Sequence, residues 1–154
     1  WWTGWPLRDV RAALGALEVE TVEAETGDGS FVPAIVLAGD VDPVADPGPW
    51  EALLPSLDPT TMGWKERSWY LGAHKDRLFD RNGNAGPTVW VDGRIVGGWA
   101  QRKDTGAVVT ELLEPLPAAT SRRIARRAAQ LQDVLGDVRI TPRFPTPVDK
   151  DLRK

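Results

Sequence analysis

Few side chains in this sequence could carry out nucleophilic or metal-dependent chemistry. His74 is the only histidine and there is no cysteine, which excludes Cys-His nucleophile pairs and metal sites built from histidines or thiolates. A serine triad would have to be built on His74, and no Gly-x-Ser-x-Gly motif accompanies it. The acid or base candidates that remain are carboxylates.

Three aspartates could in principle form a general acid and base pair: Asp58, Asp80 and Asp92. Each stands beside prolines, glycines or asparagines in a context that turn formation explains. The glycine-rich run at residues 83–87 lacks the Lys-Ser/Thr ending of a phosphate-binding loop and precedes a strand rather than a helix. We therefore expect no catalytic residue, no metal site and no cofactor in this chain.

The elements around these residues centre on a tight hairpin. Asp92-Gly93 joins two β-rich runs, residues 88–91 and 94–96, and this dipeptide tolerates positive φ at both turn positions. The resulting register places Trp90 opposite Ile95, with Trp99 on the same face. Valines occupy the other face, so both faces are apolar and we expect the hairpin to be buried between other elements.

The chain after the hairpin predicts another strand and an amphipathic helix. Residues 107–113 read as a third strand of the same sheet, and Thr120 or Ser121 is expected to cap a helix that ends at Leu135, just before Gly136. The face opposite its apolar residues carries a basic stripe: Arg122, Arg123 and Arg126, with Arg127 at the border. A final strand at residues 138–140 and a charged, frayed tail are expected to follow.

The chain before the hairpin predicts a partial winged helix. A helix at residues 6–17 precedes two strands, residues 18–24 and 31–37, which flank a turn at residues 27–30. Residues 1–5 are expected to form the end of a preceding helix and a glycine turn. The hairpin formed by these two strands is acidic and would repel phosphate. This partial winged helix therefore also fits a structural role.

Proline, glycine and acidic residues separate these two regions. Residues 39–50 show no hydrophobic periodicity, which indicates a linker. Short helical segments are expected at residues 64–70 and 74–79. We predict an α+β fold with three parts: a partial winged helix at residues 1–40, a linker at 41–50, and a small antiparallel β module with a C-terminal helix at 51–154.

The charge of the 154-residue chain is strongly asymmetric. Residues 1–60 hold two basic and eleven acidic side chains, a balance of −9, whereas the remainder holds 17 basic and eleven acidic ones, a balance of +6. This pattern fits a basic face that meets phosphate, and it equally fits two modules that attract each other. No apolar run is long enough to span a membrane and no secretion signal opens the chain, so we expect a cytoplasmic protein without a membrane partner.

Residues 53–102 carry a family resemblance. The run LLPSLDPTTMGWKERSWYLGAHKDRLFDRNGNAGPTVWVDGRIVGGWAQR resembles the C-terminal part of winged-helix DNA-binding domain proteins related to the AlkZ-type DNA glycosylases, and WWTGWPLRDVRAALGAL is similar to their last winged helix. These proteins remove alkylated bases and unhook crosslinks. The resemblance implies a tandem winged-helix protein whose N-terminal helical part carries a Gln-x-Gln or Gln-x-Asp catalytic motif. We carry no catalytic residue over to this chain.

One strand departs from the family pattern. After the hairpin, better characterised members commonly read Val-Gly-Arg-x-Asp-x-Lys, whereas here Gly98 and Ala100 occupy the first basic and acidic positions and only Arg102 keeps a charge. Any DNA contact made by this strand in relatives is therefore weakened here.

Two functions follow as hypotheses. The first is a DNA-binding accessory region that holds double-stranded DNA for the parent protein through phosphate contacts from six basic residues: Lys65, Arg67, Arg81, Arg102, Arg122 and Arg126. The second is an interaction or scaffolding module that docks against the protein's own N-terminal winged-helix domains or a second copy. Which of the basic residues share a face bears on the choice between them.

Overall fold

A computed structural model describes residues 3–26 and 28–154 of the chain. It divides into two compact units, Trp1–Gly48 and Pro49–Lys154. Both contain helices and antiparallel strands, so the α+β prediction is confirmed. Within the described ranges, no helix is sufficiently long and apolar to cross a bilayer.

The first unit consists of one helix and one hairpin. Helix α1 (Leu7–Gly15) precedes strands β1 (Val19–Glu25) and β2 (Phe31–Leu37), which pair antiparallel with Val19 opposite Leu37. These elements match the predicted helix and strands to within one or two residues. Trp1, Trp2 and Gly27, on which the predicted preceding helix and part of the predicted turn depend, lie outside the described residues.

The second unit is organised around a four-stranded antiparallel sheet in the order β3-β4-β5-β6. The strands are β3 (Glu51–Leu54), β4 (Thr88–Val91), β5 (Arg94–Gln101) and β6 (Val108–Leu112). The predicted third strand after the hairpin is present as β6. Strand β3 was not predicted; it pairs with β4 along its whole length.

The predicted central hairpin is confirmed at its turn. Asp92 and Gly93 have φ of 47° and 82°, and Trp90 pairs with Ile95. The predicted face of Trp99 is wrong. Val89 pairs with Gly97, which leaves Val96 without an opposite residue; this β-bulge interrupts the alternation of faces and places Trp99 on the side opposite Trp90.

Apolar clusters cover both faces of the hairpin, as predicted. On one face, Trp90 and Ile95 pack with Tyr70, Leu78 and Val148. On the other face, Val89, Val96 and Trp99 pack with Ile124. Each cluster is covered by helices, so the hairpin is the middle layer of the unit.

Three short helices and a longer one at the end of the chain cover the Trp90 face. They are α2 (Pro59–Met62), α3 (Ser68–Leu71), α4 (Lys75–Leu78) and α6 (Pro147–Leu152). The helix predicted from Trp64 is wrong in its start, because only its last three residues belong to α3. The predicted helical turn after His74 is present as α4.

Helix α5 (Ala118–Leu135) covers the Trp99 face. Its buried side chains include Ile124 and Ala128, as the periodicity predicts, and Gly136 follows it with φ of 50°. The predicted cap is wrong: Pro117 occupies the N-cap without a side-chain hydrogen bond. Thr120 is instead buried within the first turn. The fixed φ of Pro117 is compatible with a helix that begins earlier than predicted.

The chain end differs most from prediction. Residues 138–140 form no strand and the predicted frayed tail is helix α6. The Thr146 hydroxyl accepts from the Asp149 N–H while the Asp149 carboxylate accepts from the Thr146 N–H, a capping box with Pro147 in the first turn. Val148 is 1% exposed, so the helix docks on the core.

Candidate nucleic-acid interface

Helix α5 divides its arginines between a structural pair and a solvent-facing pair. Arg123 Nε lies 2.8 Å from a carboxylate oxygen of Glu51, and Arg127 Nε lies 3.5 Å from the other oxygen. Because the Glu51 side chain is only 9% exposed, these ion pairs anchor α5 to β3. Arg122 and Arg126 are exposed and pair with no carboxylate of the described residues; we call them the α5 arginine pair.

Arg67 packs against the protein. Its Nη1 donates to the Thr61 carbonyl at 3.2 Å, and its guanidinium lies over the Phe79 ring at 5.1 Å from the centroid. Its charge also opposes the burial that raises the pKa of the Tyr70 hydroxyl. Arg67 therefore contributes to packing around the Trp90 face.

Lys65 contacts its neighbour in the chain, whereas Arg102 contacts the chain end. Lys65 is exposed and its Nζ lies 3.8 Å from Glu66. Arg102 is exposed and its Nη1 donates to the Lys154 carbonyl at 3.0 Å, so part of its hydrogen-bonding capacity is used at the chain end.

Arg81 lies in a cleft of about 820 Å³ between α4, the turn after Phe79 and the segment that leads into α6. Three further basic residues line this α4–α6 cleft: Lys75, Arg143 and Lys150. None of the three was predicted to bind DNA. Lys75 was predicted only as part of a helical turn, Arg143 only as part of the segment after residue 140, and Lys150 as part of a frayed tail. The capping box at Thr146 was the signal that this segment is ordered.

The basic residues predicted to contact DNA lie on both sides of the sheet. Helix α5 covers the Trp99 face, whereas α4 and α6, which border the cleft, cover the Trp90 face. The six residues predicted to contact DNA therefore do not form one cluster. The structure instead brings Arg81 together with the three basic residues that the prediction omitted.

The aspartates considered as acid or base candidates make turns, as their contexts predicted. Asp58 and Asp92 each accept a backbone N–H at 2.8 Å, from Thr60 and Trp50 respectively. Asp80 accepts the N–H groups of Asn82 and Asn84. Desolvation opposes its ionisation, but the hydrogen bonds from Asn84 and its neighbours hold the pKa of Asp80 below its usual value.

His74 has a partner that accounts for its position. Its Nε2 lies 3.2 Å from a carboxylate oxygen of Glu114, which also lies 3.5 Å from Arg94 Nη2. This contact joins the start of α4 to the segment after β6. It gives the only histidine a structural role in the second unit.

The family comparison agrees with the resemblance. Residues 1–134 match the model of the family described as DNA glycosylase AlkZ-like. The chain belongs to the AlkZ-like DNA glycosylase family. This membership relates it to DNA repair and to a DNA substrate. No curated protein and no solved structure matches the chain. Arg143 and Lys150 of the cleft lie beyond the residues matched to the AlkZ-like family.

The glutamine spacing of the family's catalytic motif does occur in this chain. Gln130 and Gln132 form a Gln-x-Gln on α5. Gln132 Oε1 accepts the Val108 N–H at 2.6 Å, and Gln130 Oε1 accepts from Arg127 at 3.2 Å. Residues two apart on a helix point in different directions, and these two contacts are structural. We assign the pair no catalytic role.

Proposed function

We propose that this chain is a DNA-binding accessory region of a cytoplasmic repair protein related to glycosylases that act on alkylated or crosslinked DNA. The observation that carries the proposal is the division of the α5 arginines. Arg123 and Arg127 hold the helix against Glu51, and this leaves Arg122 and Arg126 exposed, with no carboxylate partner in the part of the chain that the structure describes. A firmly anchored helix with two unpaired guanidinium groups suits contact with DNA phosphates.

The first unit has a different part in this proposal. Its helix followed by a hairpin fits a partial winged helix, yet its two basic residues face nine acidic ones in residues 1–48, a balance that repels phosphate. We therefore assign DNA contact to the second unit. In the intact protein, the first unit would then pack with N-terminal winged-helix domains.

Salt dependence tests the proposed function. The purified chain should bind a labelled duplex in fluorescence anisotropy, and the logarithm of affinity should fall linearly with the logarithm of salt concentration. Each neutralised phosphate contributes a slope of about −0.9, so two arginines alone give about −2. Absence of binding at low salt would contradict the proposal.

Protein interaction is a second candidate function, favoured by the apolar surface of the first unit. None of its described residues, 3–26 and 28–48, is buried, and Trp5, Leu7 and Phe31 are 59–62% exposed. Exposed apolar patches of this kind mark interaction sites. A second copy is the occupant to test first: sedimentation equilibrium should show self-association that Phe31→Ser weakens. A monomer at all concentrations would exclude this pairing.

A further inference from the structure

The α4–α6 cleft combines positive charge with an exposed aromatic ring. Lys75, Arg81, Arg143 and Lys150 line it, and Phe144 stands among them with 48% of its surface exposed. We propose that this cleft binds one nucleotide of an unpaired DNA strand, with its phosphates at the four cations and its base against Phe144. The volume of about 820 Å³ lies within the range of about 300–1,000 Å³ that is usual for ligand sites.

Charge in the cleft favours an anion. None of the four cations pairs with a carboxylate of the described residues. Two carboxylates also line the cleft, Asp76 and Asp80, which leaves a formal balance of +2. Asp80 is occupied by hydrogen bonds from Asn82 and Asn84, whereas Asp76 is exposed and is the one group expected to oppose a phosphate.

The aromatic ring indicates that the ligand includes a base. The Arg143 guanidinium lies 5.4 Å from the centroid of the Phe144 ring, and both aromatic and guanidinium planes can stack on a base that has left the helix. Paired bases in a duplex are already stacked on their neighbours. The ring therefore distinguishes an unpaired strand from a duplex, which the cations alone cannot do.

The residues on the α6 side are held in place before any ligand binds. Prolines 142, 145 and 147 restrict the segment around Arg143 and Phe144. Arg153, which is 9% exposed, donates to the Ile140 carbonyl at 2.8 Å and fixes the approach to this segment. A site with little conformational freedom to lose binds at a lower entropic cost.

This inference rests on the proposed DNA-binding function but concerns a different surface. Arg143, Phe144 and Lys150 lie beyond residues 1–134 that match the family. The site also lies on the face of the sheet opposite the α5 arginine pair. Variants can therefore change one surface while leaving the other intact.

Binding of a labelled single-stranded oligothymidine tests the cleft. Phe144→Ala should weaken affinity about tenfold through lost stacking with no change in salt slope. Phe144→Trp, which keeps an aromatic ring, should bind with an affinity close to that of wild type. Arg143→Glu with Lys150→Glu should weaken affinity and flatten the slope by about 1.4, since each single-strand contact contributes about 0.7. Asp76→Asn should tighten binding. Thermal midpoints of all variants check that the fold is kept.

Duplex measurements on the same variants separate the outcomes. The cleft variants should leave duplex affinity nearly unchanged, and excess inorganic phosphate should compete only weakly with the oligonucleotide. Two results would contradict the nucleotide site while leaving duplex binding intact. One is single-strand affinity that does not change in Phe144→Ala, and the other is strong competition by inorganic phosphate. Lack of affinity for both probes would contradict the proposed function itself.

Discussion

At the scale of single residues, Trp90 is the side chain on which the fold of the second unit most depends. Its indole stacks on Tyr70 with ring centroids 5.3 Å apart, and its Nε1 donates to the Thr88 hydroxyl at 2.9 Å. The residue is 3% exposed. Its environment satisfies both the apolar body and the polar N–H of the indole.

Truncation of this indole should therefore be costly. We expect Trp90→Ala to lower the free energy of unfolding by about 3–5 kcal/mol, because it removes buried surface and leaves a cavity. Trp69→Ala is the matched control, since Trp69 is 51% exposed and should lose far less. Urea unfolding of both variants measures the difference, and equal losses would show that Trp90 is not a core residue.

Local sequence determines the turn of the central hairpin but not its β-bulge. Asp92-Gly93 defines the hairpin turn locally, and the register at Trp90 and Ile95 follows from it. The bulge at Val96 depends on how β5 meets its neighbours. A Cβ on Gly97 would clash with the Glu111 carbonyl oxygen of β6. That close approach between strands distant in sequence has no signature in either segment.

At the scale of elements, the anchoring of α5 depends on Arg123. We expect Arg123→Ala to cost about 1–3 kcal/mol, because it leaves the nearly buried Glu51 carboxylate with a weaker partner. Arg122→Ala, at the preceding position, should change stability by no more than about 0.5 kcal/mol, as is usual for exposed sites. Chemical denaturation of the two variants provides the test. A loss at Arg122 as large as that at Arg123 would reverse the assignment of the two faces.

The docking of α6 should depend on pH. Hydrogen bonds from Lys154 and Arg77 lower the pKa of Asp151. A carboxylate with a lowered folded-state pKa contributes stability above its unfolded pKa of about 3.9 and loses it as pH falls through the folded value. Asp151→Asn should therefore have a lower thermal midpoint than wild type at neutral pH, and the two curves should converge in acid. A constant offset down to about pH 2 would contradict this linkage.

Elements differ in how far the sequence predicts them. Helix α5 has regular apolar periodicity with a terminal glycine, so its end at Leu135 was predicted correctly, whereas its N-cap, Pro117, lies three residues before the predicted Thr120. Strand β3 has four residues, too few to show alternation, and its conformation comes from pairing with β4. Helix α6 was not predicted, because its charged composition suggested a frayed tail despite the capping box at Thr146. The α4–α6 cleft joins segments far apart in the chain, so no local pattern could predict it.

At the scale of the whole molecule, the proposed function separates DNA binding from base release. We expect these 154 residues to show no base release from alkylated duplex DNA, because Gln130 accepts a hydrogen bond from Arg127 and Gln132 accepts one from Val108. A glycosylase assay on the purified chain, with a heat-treated sample as control, gives the answer. If the chain did release bases, and still did so after Gln132→Ala in a folded protein, a catalytic group elsewhere in the chain would be required.

The proposed contact with DNA phosphates depends on the α5 arginine pair. Arg122→Glu with Arg126→Glu should weaken duplex binding at low salt, alike for all sequences, and flatten the slope of log affinity against log salt by about two units. Arg8→Glu with Arg11→Glu is the matched control, because it reverses two exposed charges in the acidic first unit and should leave the slope unchanged.

Fluorescence anisotropy across a salt series, performed on wild type and both double variants, is the decisive measurement of this contact. We expect a flatter slope for the α5 variant alone, with a thermal midpoint close to that of wild type. An unchanged affinity and slope in that folded variant would contradict the proposed contact and show Arg122 and Arg126 to be solvated surface residues.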